Sequence, residues 1–222
     1  PWVHWPETML TYLKEDKILF PCDLFGSHLA ISELYATDEA QGYEAAKRYY
    51  AEIMMPFRTN IAKHLERLKN YEINLIAPSH GPCYNNPEFI VKAYRSWVFD
   101  TPKNIVVLPY VSMYGSTHQM VKYLVETLTQ KGITVKLFNL STVDIGKLVT
   151  ALVDAATIVI GTPTVMVGPH PLVMYAAILA NALRPKVKFA SIIGSYGWGS
   201  RAIDDIIKII PNLKVELLEP VL

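Results

Sequence analysis

Three stretches of the chain gather small and hydroxylated residues directly after an apolar run: Ser112–Thr117 (SMYGST), Gly161–Gly168 (GTPTVMVG) and Gly194–Gly199 (GSYGWG). The first sets three hydroxyls and one glycine ahead of a segment with helical spacing, in which Met120, Val121, Leu124, Val125 and Leu128 share a face. A helix N-terminus offers unpaired N–H groups and the positive end of its dipole, and both favour an anion. A phosphate monoester carries about −1.5 to −2 charges near neutral pH, and serine and threonine hydroxyls can satisfy its oxygens without a lysine. SMYGST holds no lysine, so it is neither the Gly-x-x-x-x-Gly-Lys-Ser/Thr loop nor Gly-x-Gly-x-x-Gly. A plainer reading stays open, in which Ser116 or Thr117 only caps the helix.

A second set of residues lies in the first hundred. His4 precedes a hairpin-like pair of segments, Asp23 follows the second of them, and His80 ends the apolar run INLIAPSH. Neutral imidazole and carboxylate suit iron or zinc, provided the loops that carry them converge at one sheet edge. A histidine in PSHGP could equally be a turn residue bonded to backbone. His28, in GSH, reads as a surface or satisfied core histidine. Cys22 and Cys83 read as structural thiols. The charged, aromatic stretch from Tyr43 to Tyr71 reads as a packing helix and dimer surface, with His64 on its solvated face.

The elements that must position these residues follow from pattern. With 222 residues, half of them hydrophobic, 18% charged and a net charge of +1, the chain can bury a core in one or two domains without staples. No charge excess points to nucleic acid or anionic lipid, and two cysteines fit a reducing, cytoplasmic setting better than a disulfide framework. From Ala155 to Leu183 no Asp, Glu, Lys or Arg occurs. That length could cross a bilayer, but Gly161, Pro163, Gly168, Pro169 and Pro171 break it into two buried elements. Both ends read as cut: the chain opens without Met and stops on a strand-like run.

The stretch SWVFDTPKN separates a helix-rich first half from a regular second half. After it, NIVVLPYV, ITVKLFNL, TIVIGTPT, KFASIIGS and KVELLEPV read as strands, with a helical segment in each interval. Regular alternation of this kind predicts a doubly wound parallel α/β sheet, since parallel neighbours need crossover connections. In such sheets ligands bind beyond the carboxyl ends of the strands. The three small-residue loops should therefore lie side by side at one edge.

SMYGST resembles the first loop of the flavodoxin-like domains, Ser/Thr-x-x-Gly-x-Thr, which wraps the phosphate of FMN. The other two loops fit the same resemblance. It implies that Ser112, Met113, Tyr114, Gly115, Ser116 and Thr117 hold phosphate. Pro163, Thr164, Val165, Gly168, Ser195, Tyr196, Gly197, Trp198 and Gly199 would then surround the ring. The domain's final helix is missing from these residues.

HWPETM, CDLFGSH and APSHGP, in that order and ahead of such a domain, resemble the flavodiiron proteins, or A-type flavoproteins. The resemblance implies residues 1–101 as the C-terminal part of a metallo-β-lactamase-like αββα domain and residues 102–222 as the flavodoxin-like domain. It implies His4, Asp23 (bridging) and His80 as ligands of a two-iron centre and as the catalytic set. The family's remaining ligands lie in a His-x-Glu-x-Asp-His motif upstream of HWPETM, and these residues contain no such motif. The implied activity is an oxidoreductase passing electrons from FMN to diiron, reducing dioxygen to water or nitric oxide to nitrous oxide. Its donor would be rubredoxin or reduced deazaflavin coenzyme, and its assembly a head-to-tail homodimer or a tetramer, with no nucleic acid or membrane partner. Two rival classes remain at this level: a zinc-dependent metallo-β-lactamase-like hydrolase, and a non-enzymatic flavodoxin-like electron carrier.

Overall fold

The computed structural model describes residues 3–222. The chain divides into two compact units, one ending at Asp100 and one beginning at Thr101.

In the first unit β1 (Thr11–Leu13) and β2 (Ile18–Phe20) pair antiparallel, and β2 pairs parallel with β3 (Leu75–Ile76). β3 is shorter than INLIAPSH suggests, because Pro78 removes a donor and the chain leaves the ladder toward His80. Helix α1 (Glu39–Tyr49) starts on Asp38, whose carboxylate accepts the Gln41 N–H at 3.0 Å. It runs into a π-helical turn (Tyr50–Met54) and a 3₁₀ turn (Met55–Phe57) before α2 (Arg58–Leu68), with Pro56 at the break. Helix α2 buries Ile61, His64, Leu65 and Leu68 at i, i+3, i+4 and i+7. His64 is therefore a buried residue at 8% exposure, not the solvated one its charged surroundings suggested. Helix α3 (Pro87–Phe99) completes the layer, and Tyr49, Tyr50, Tyr94 and Trp97 fill the core.

The second unit is a five-stranded parallel sheet. Its strands are β4 (Lys103–Tyr110), β5 (Thr134–Asn139), β6 (Ala155–Val165), β8 (Phe189–Ser195) and β9 (Glu216–Leu217), in the order β5-β4-β6-β8-β9. A two-residue strand, β7 (Gly168–Pro169), folds back antiparallel on the end of β6. Successive residues of β4 bury on opposite faces: Val106 and Leu108 meet helix α4 (Ser116–Gln130) through Val121. Val107 joins Ile158, Ile160 and Ile192 against α5 (Ile145–Leu152), α6 (Pro171–Leu183) and α7 (Ala202–Ile209). Burial on both faces explains why the central strands are continuously apolar rather than alternating.

The run KVELLEPV forms less strand than its pattern predicted. Only Glu216–Leu217 pair as a strand, with one isolated bridge from Ile193 to Val221, and Pro220 between them has no N–H to give. The uncharged stretch is split among β6, β7 and α6, and among the described residues no helix is long and apolar enough to cross a membrane.

The order of the sheet reverses between β4 and β6, since β5 lies on one side of β4 and everything later on the other. The carboxyl ends of these two strands mark the switch point where a ligand crevice opens. Close approach there demands a residue without a side chain: a Cβ on Gly194 would sit 2.2 Å from the Thr162 carbonyl oxygen.

Candidate functional site

At that switch point a cavity of about 410 Å³ is walled by three loops, residues 112–117, 163–167 and 195–199. The structure thus brings together the three stretches singled out in the sequence. Gly115 and Gly168 are not part of the wall itself. Gly115 takes φ 94° at the start of α4, a left-handed conformation suited to glycine. Gly168 belongs to the β6–β7 hairpin. Met166 and Val167, inside the stretch Gly161–Gly168 but not among the residues expected around the ring, line the cavity as well.

The floor of the cavity is the first turn of α4. An α-helix leaves its first amides, here those of Ser116 and Thr117, without an i−4 carbonyl. Ser112 Oγ accepts the Gly115 and His118 N–H groups, each at 3.2 Å, and so shapes the loop around that opening. Thr117 is 1% exposed, and its hydroxyl meets Ser195 Oγ at 3.1 Å, tying the first loop to the third. The capping role weighed for Ser116 and Thr117 thus falls to Ser112.

The upper walls are apolar. Tyr114, Met166 and Trp198 are all more than nine-tenths exposed at the mouth, and Tyr196 is half exposed. Monomeric proteins rarely leave so many large apolar groups around one opening without a ligand or partner for them. No lining residue is an Asp, Glu, Lys or Arg. The geometry fits a ligand with an anion at one end, seated on amides and hydroxyls, and a planar apolar body. FMN has that shape and charge, and the residues present fit it.

The first unit holds the other predicted residues. Asp23 and His80 come together, with His80 Nε2 at 3.3 Å from Asp23 Oδ1. Their loops are knitted by backbone: Ser27 N–H donates to His80 O at 3.1 Å and Ser79 N–H to Cys22 O at 2.9 Å. Cys22 and Phe25, flanking Asp23, both lie at positive φ, 57° and 69°. Such conformations persist where the surroundings over-determine them and cluster at functional sites. Gly81 is equally constrained, with φ 81° and a position where a Cβ would lie 2.2 Å from Ser27 Oγ. Tyr49 packs beside the pair, its ring centroid 6.1 Å from that of His80. Burial pushes its phenol well above the usual range, and the Asp23 carboxylate and Cys22 add to the shift.

His4 is exposed and left-handed at φ 72°, with its ring edge-on to Phe57 at 6.5 Å. Among the described residues no group of three or more His, Cys, Asp or Glu side chains is placed to hold a metal ion. Asp23 and His80 are chemically suited to iron, but the donors present here do not by themselves make a diiron site. His28, beside Tyr49 at 4.8 Å and 3.9 Å from Glu52, is largely exposed. Both cysteines are free, and burial raises the Cys83 thiol.

A parallel sheet in this order, with a hydroxyl-lined helix end at its switch point, defines a flavodoxin-type domain, here following a β-lactamase-like segment. Residues 108–222 match the flavodoxin family and residues 1–81 the ODP family beta lactamase. The chain is 35% identical over 223 residues to a nitric oxide reductase of Moorella thermoacetica, covering 98% of this chain and 56% of the relative. Rubredoxin oxygen:oxidoreductase from Desulfovibrio gigas superposes with a TM-score of 0.93 at 27% identity, over 99% of this chain and 57% of that one. The flavodiiron protein of Giardia intestinalis gives 0.92 at 28%, over 100% and 56%. The chain belongs to the flavodiiron protein family. It spans little more than half the length of these relatives.

Proposed function

We propose that this chain is the flavin-binding portion, with one edge of the metal site, of an oxidoreductase that passes electrons from FMN to a diiron centre. The protein to which it belongs would reduce dioxygen to water or nitric oxide to nitrous oxide. The observation that carries the reading is the meeting of three loops around a helix N-terminus at the sheet's switch point, with hydroxyls below and exposed aromatic and thioether groups above. Relatives of both kinds, a nitric oxide reductase and a rubredoxin oxygen:oxidoreductase, support the pair of acceptors without favouring one.

When bound, FMN would supply electron exchange between the donor and the acceptor site. The chain's own residues bind and orient it. The amides of Ser116 and Thr117 and the hydroxyls of Ser112, Ser116 and Thr117 receive the phosphate. Ser195 fixes the Thr117 hydroxyl at 3.1 Å. Tyr196, Trp198 and the 163–167 loop cover the ring and keep water from it, and the neighbouring glycines let backbone amides reach its polar rim. On the metal side Asp23 and His80 would give two donors and His4 a third. Among the described residues these donors do not close a two-metal site.

Partners follow the same reading: a rubredoxin-type protein or a reduced deazaflavin coenzyme as donor, a head-to-tail homodimer or tetramer as the assembly, and the cytoplasm as the compartment. The test is the colour of the purified chain. A flavin absorption band should be present, or should appear after incubation with FMN and removal of the excess, and the released flavin should be FMN rather than riboflavin. A chain that stays colourless after such incubation overturns the reading.

A further inference from the structure

The hairpin that closes one side of the cavity is held in a conformation its own residues do not favour. β6 and β7 pair through Thr164↔Pro169 and Val165↔Gly168, which leaves Met166 and Val167 as the two turn residues. Both are left-handed, at φ 48° and 72°. Positive φ at both central positions is the I′ hairpin turn, whose usual occupants are asparagine, aspartate and glycine. A β-branched residue there is an outlier, and it persists only where neighbouring structure fixes it.

The neighbouring structure is the start of α7. Ser200 Oγ lies 2.7 Å from Thr164 Oγ1 and accepts the Ala202 N–H at 3.1 Å. The next residue, Arg201, donates its N–H to Val167 O at 2.6 Å. Two consecutive residues, Ser200 and Arg201, thus grip the hairpin at its base and at its strained tip, although neither lines the cavity. Met166, at the tip, is 95% exposed at the mouth.

We propose that Ser200 is a positioning residue for the flavin: through Thr164, and with the Arg201 amide, it holds the Val165–Gly168 turn left-handed so that Val165 and Met166 form a wall of the cradle. The proposal rests on the flavin reading above. It assigns to Ser200 a role that capping α7 would not need, because the cap uses only the Ala202 N–H.

The experiment is a double-mutant cycle on the full chain, read by FMN titration of flavin-free protein and by the visible circular dichroism of the bound flavin. Ser200→Ala should weaken FMN binding by about three- to tenfold, the range expected for one hydrogen bond, and should alter the dichroic bands. Ser200→Thr, which keeps the hydroxyl, should restore both. Val167→Gly removes the strain that the clasp holds in check, so adding Ser200→Ala to it should weaken binding less than twofold further. Where Ser200→Ala does not fold, Thr164→Val removes the other hydroxyl of the pair and completes the same cycle. Independent, multiplicative effects of the two substitutions, or a Ser200→Ala protein with lowered melting temperature and unchanged FMN affinity and dichroism, would overturn the proposal. Failure of the unaltered chain to take up FMN overturns the flavin reading itself, and this proposal with it.

Discussion

At the scale of single residues, Thr117 bears most directly on the proposed flavin site. It is buried, its hydroxyl is engaged by Ser195, and its amide belongs to the unpaired first turn of α4. Thr117→Asp places a carboxylate where the phosphate would lie, and FMN affinity should fall at least about tenfold, since like charges at a helix N-terminus forfeit the site's electrostatic advantage. Fluorescence titration of the flavin-free chain measures this directly. A different residue-scale outcome concerns the tyrosines of the first unit. Burial pushes the Tyr84 phenol up to about 12, and burial likewise raises Tyr49, Tyr50 and Tyr94. A phenol whose folded pKa exceeds its unfolded value of about 10 favours the native state equally at every lower pH. Between pH 10 and 12 the unfolded chain releases a proton that the folded chain keeps, so stability falls with slope set by that difference. The first unit should hold from pH 7 to 9 and lose stability steeply above pH 10, with tyrosinate absorbance rising together with the loss of helical circular dichroism.

At the scale of elements, the carboxyl edge of the sheet decides whether the loops meet. Gly194, in β8, faces the Thr162 carbonyl at a distance no Cβ can share. Gly194→Ala should cost the second unit about 1 to 3 kcal/mol by overpacking and lower flavin retention by displacing the loop that follows. Urea unfolding of the variant, followed at matched flavin content, checks both effects. Much of this scale was legible in the chain itself. The central strands and the helices between them declare their period, and SMYGST sits where a strand must turn into a helix. The less legible parts have physical reasons. His64 looked solvent-facing because Lys63, Glu66 and Arg67 surround it in sequence, yet the i, i+3, i+4, i+7 set of α2 places it inward. The last strand shrank because Pro220 interrupts its ladder. Met166 and Val167, though inside the stretch Gly161–Gly168, were not expected as a turn, because a two-residue hairpin built without Asn, Asp or Gly at its centre carries no turn signal. His4, Asp23 and His80 could be paired with iron only through resemblance, since their separation in sequence says nothing of their distance in space.

At the scale of the molecule, the chain has two compact units, and the residues that line the cavity all belong to the second. FMN at a hundredfold excess over its dissociation constant should stabilise the unit from Thr101 onward by about 2.7 kcal/mol. The unit ending at Asp100 has no part in the flavin cavity described above, so scanning calorimetry with and without FMN should show the gain in the second unit's transition. Equal gains in both would argue against the assignment of the cavity. The wall of that cavity has one further consequence. On the proposed reading it would seat a phosphate ester on amides and hydroxyls, with no lysine or arginine among its lining residues. A grip made of fixed, partly buried dipoles has no exposed ion pair for dissolved ions to weaken. Tenfold changes in ionic strength should therefore leave flavin retention nearly constant, so the chain would keep its pigment through the high-salt washes that strip ligands from lysine-lined phosphate sites.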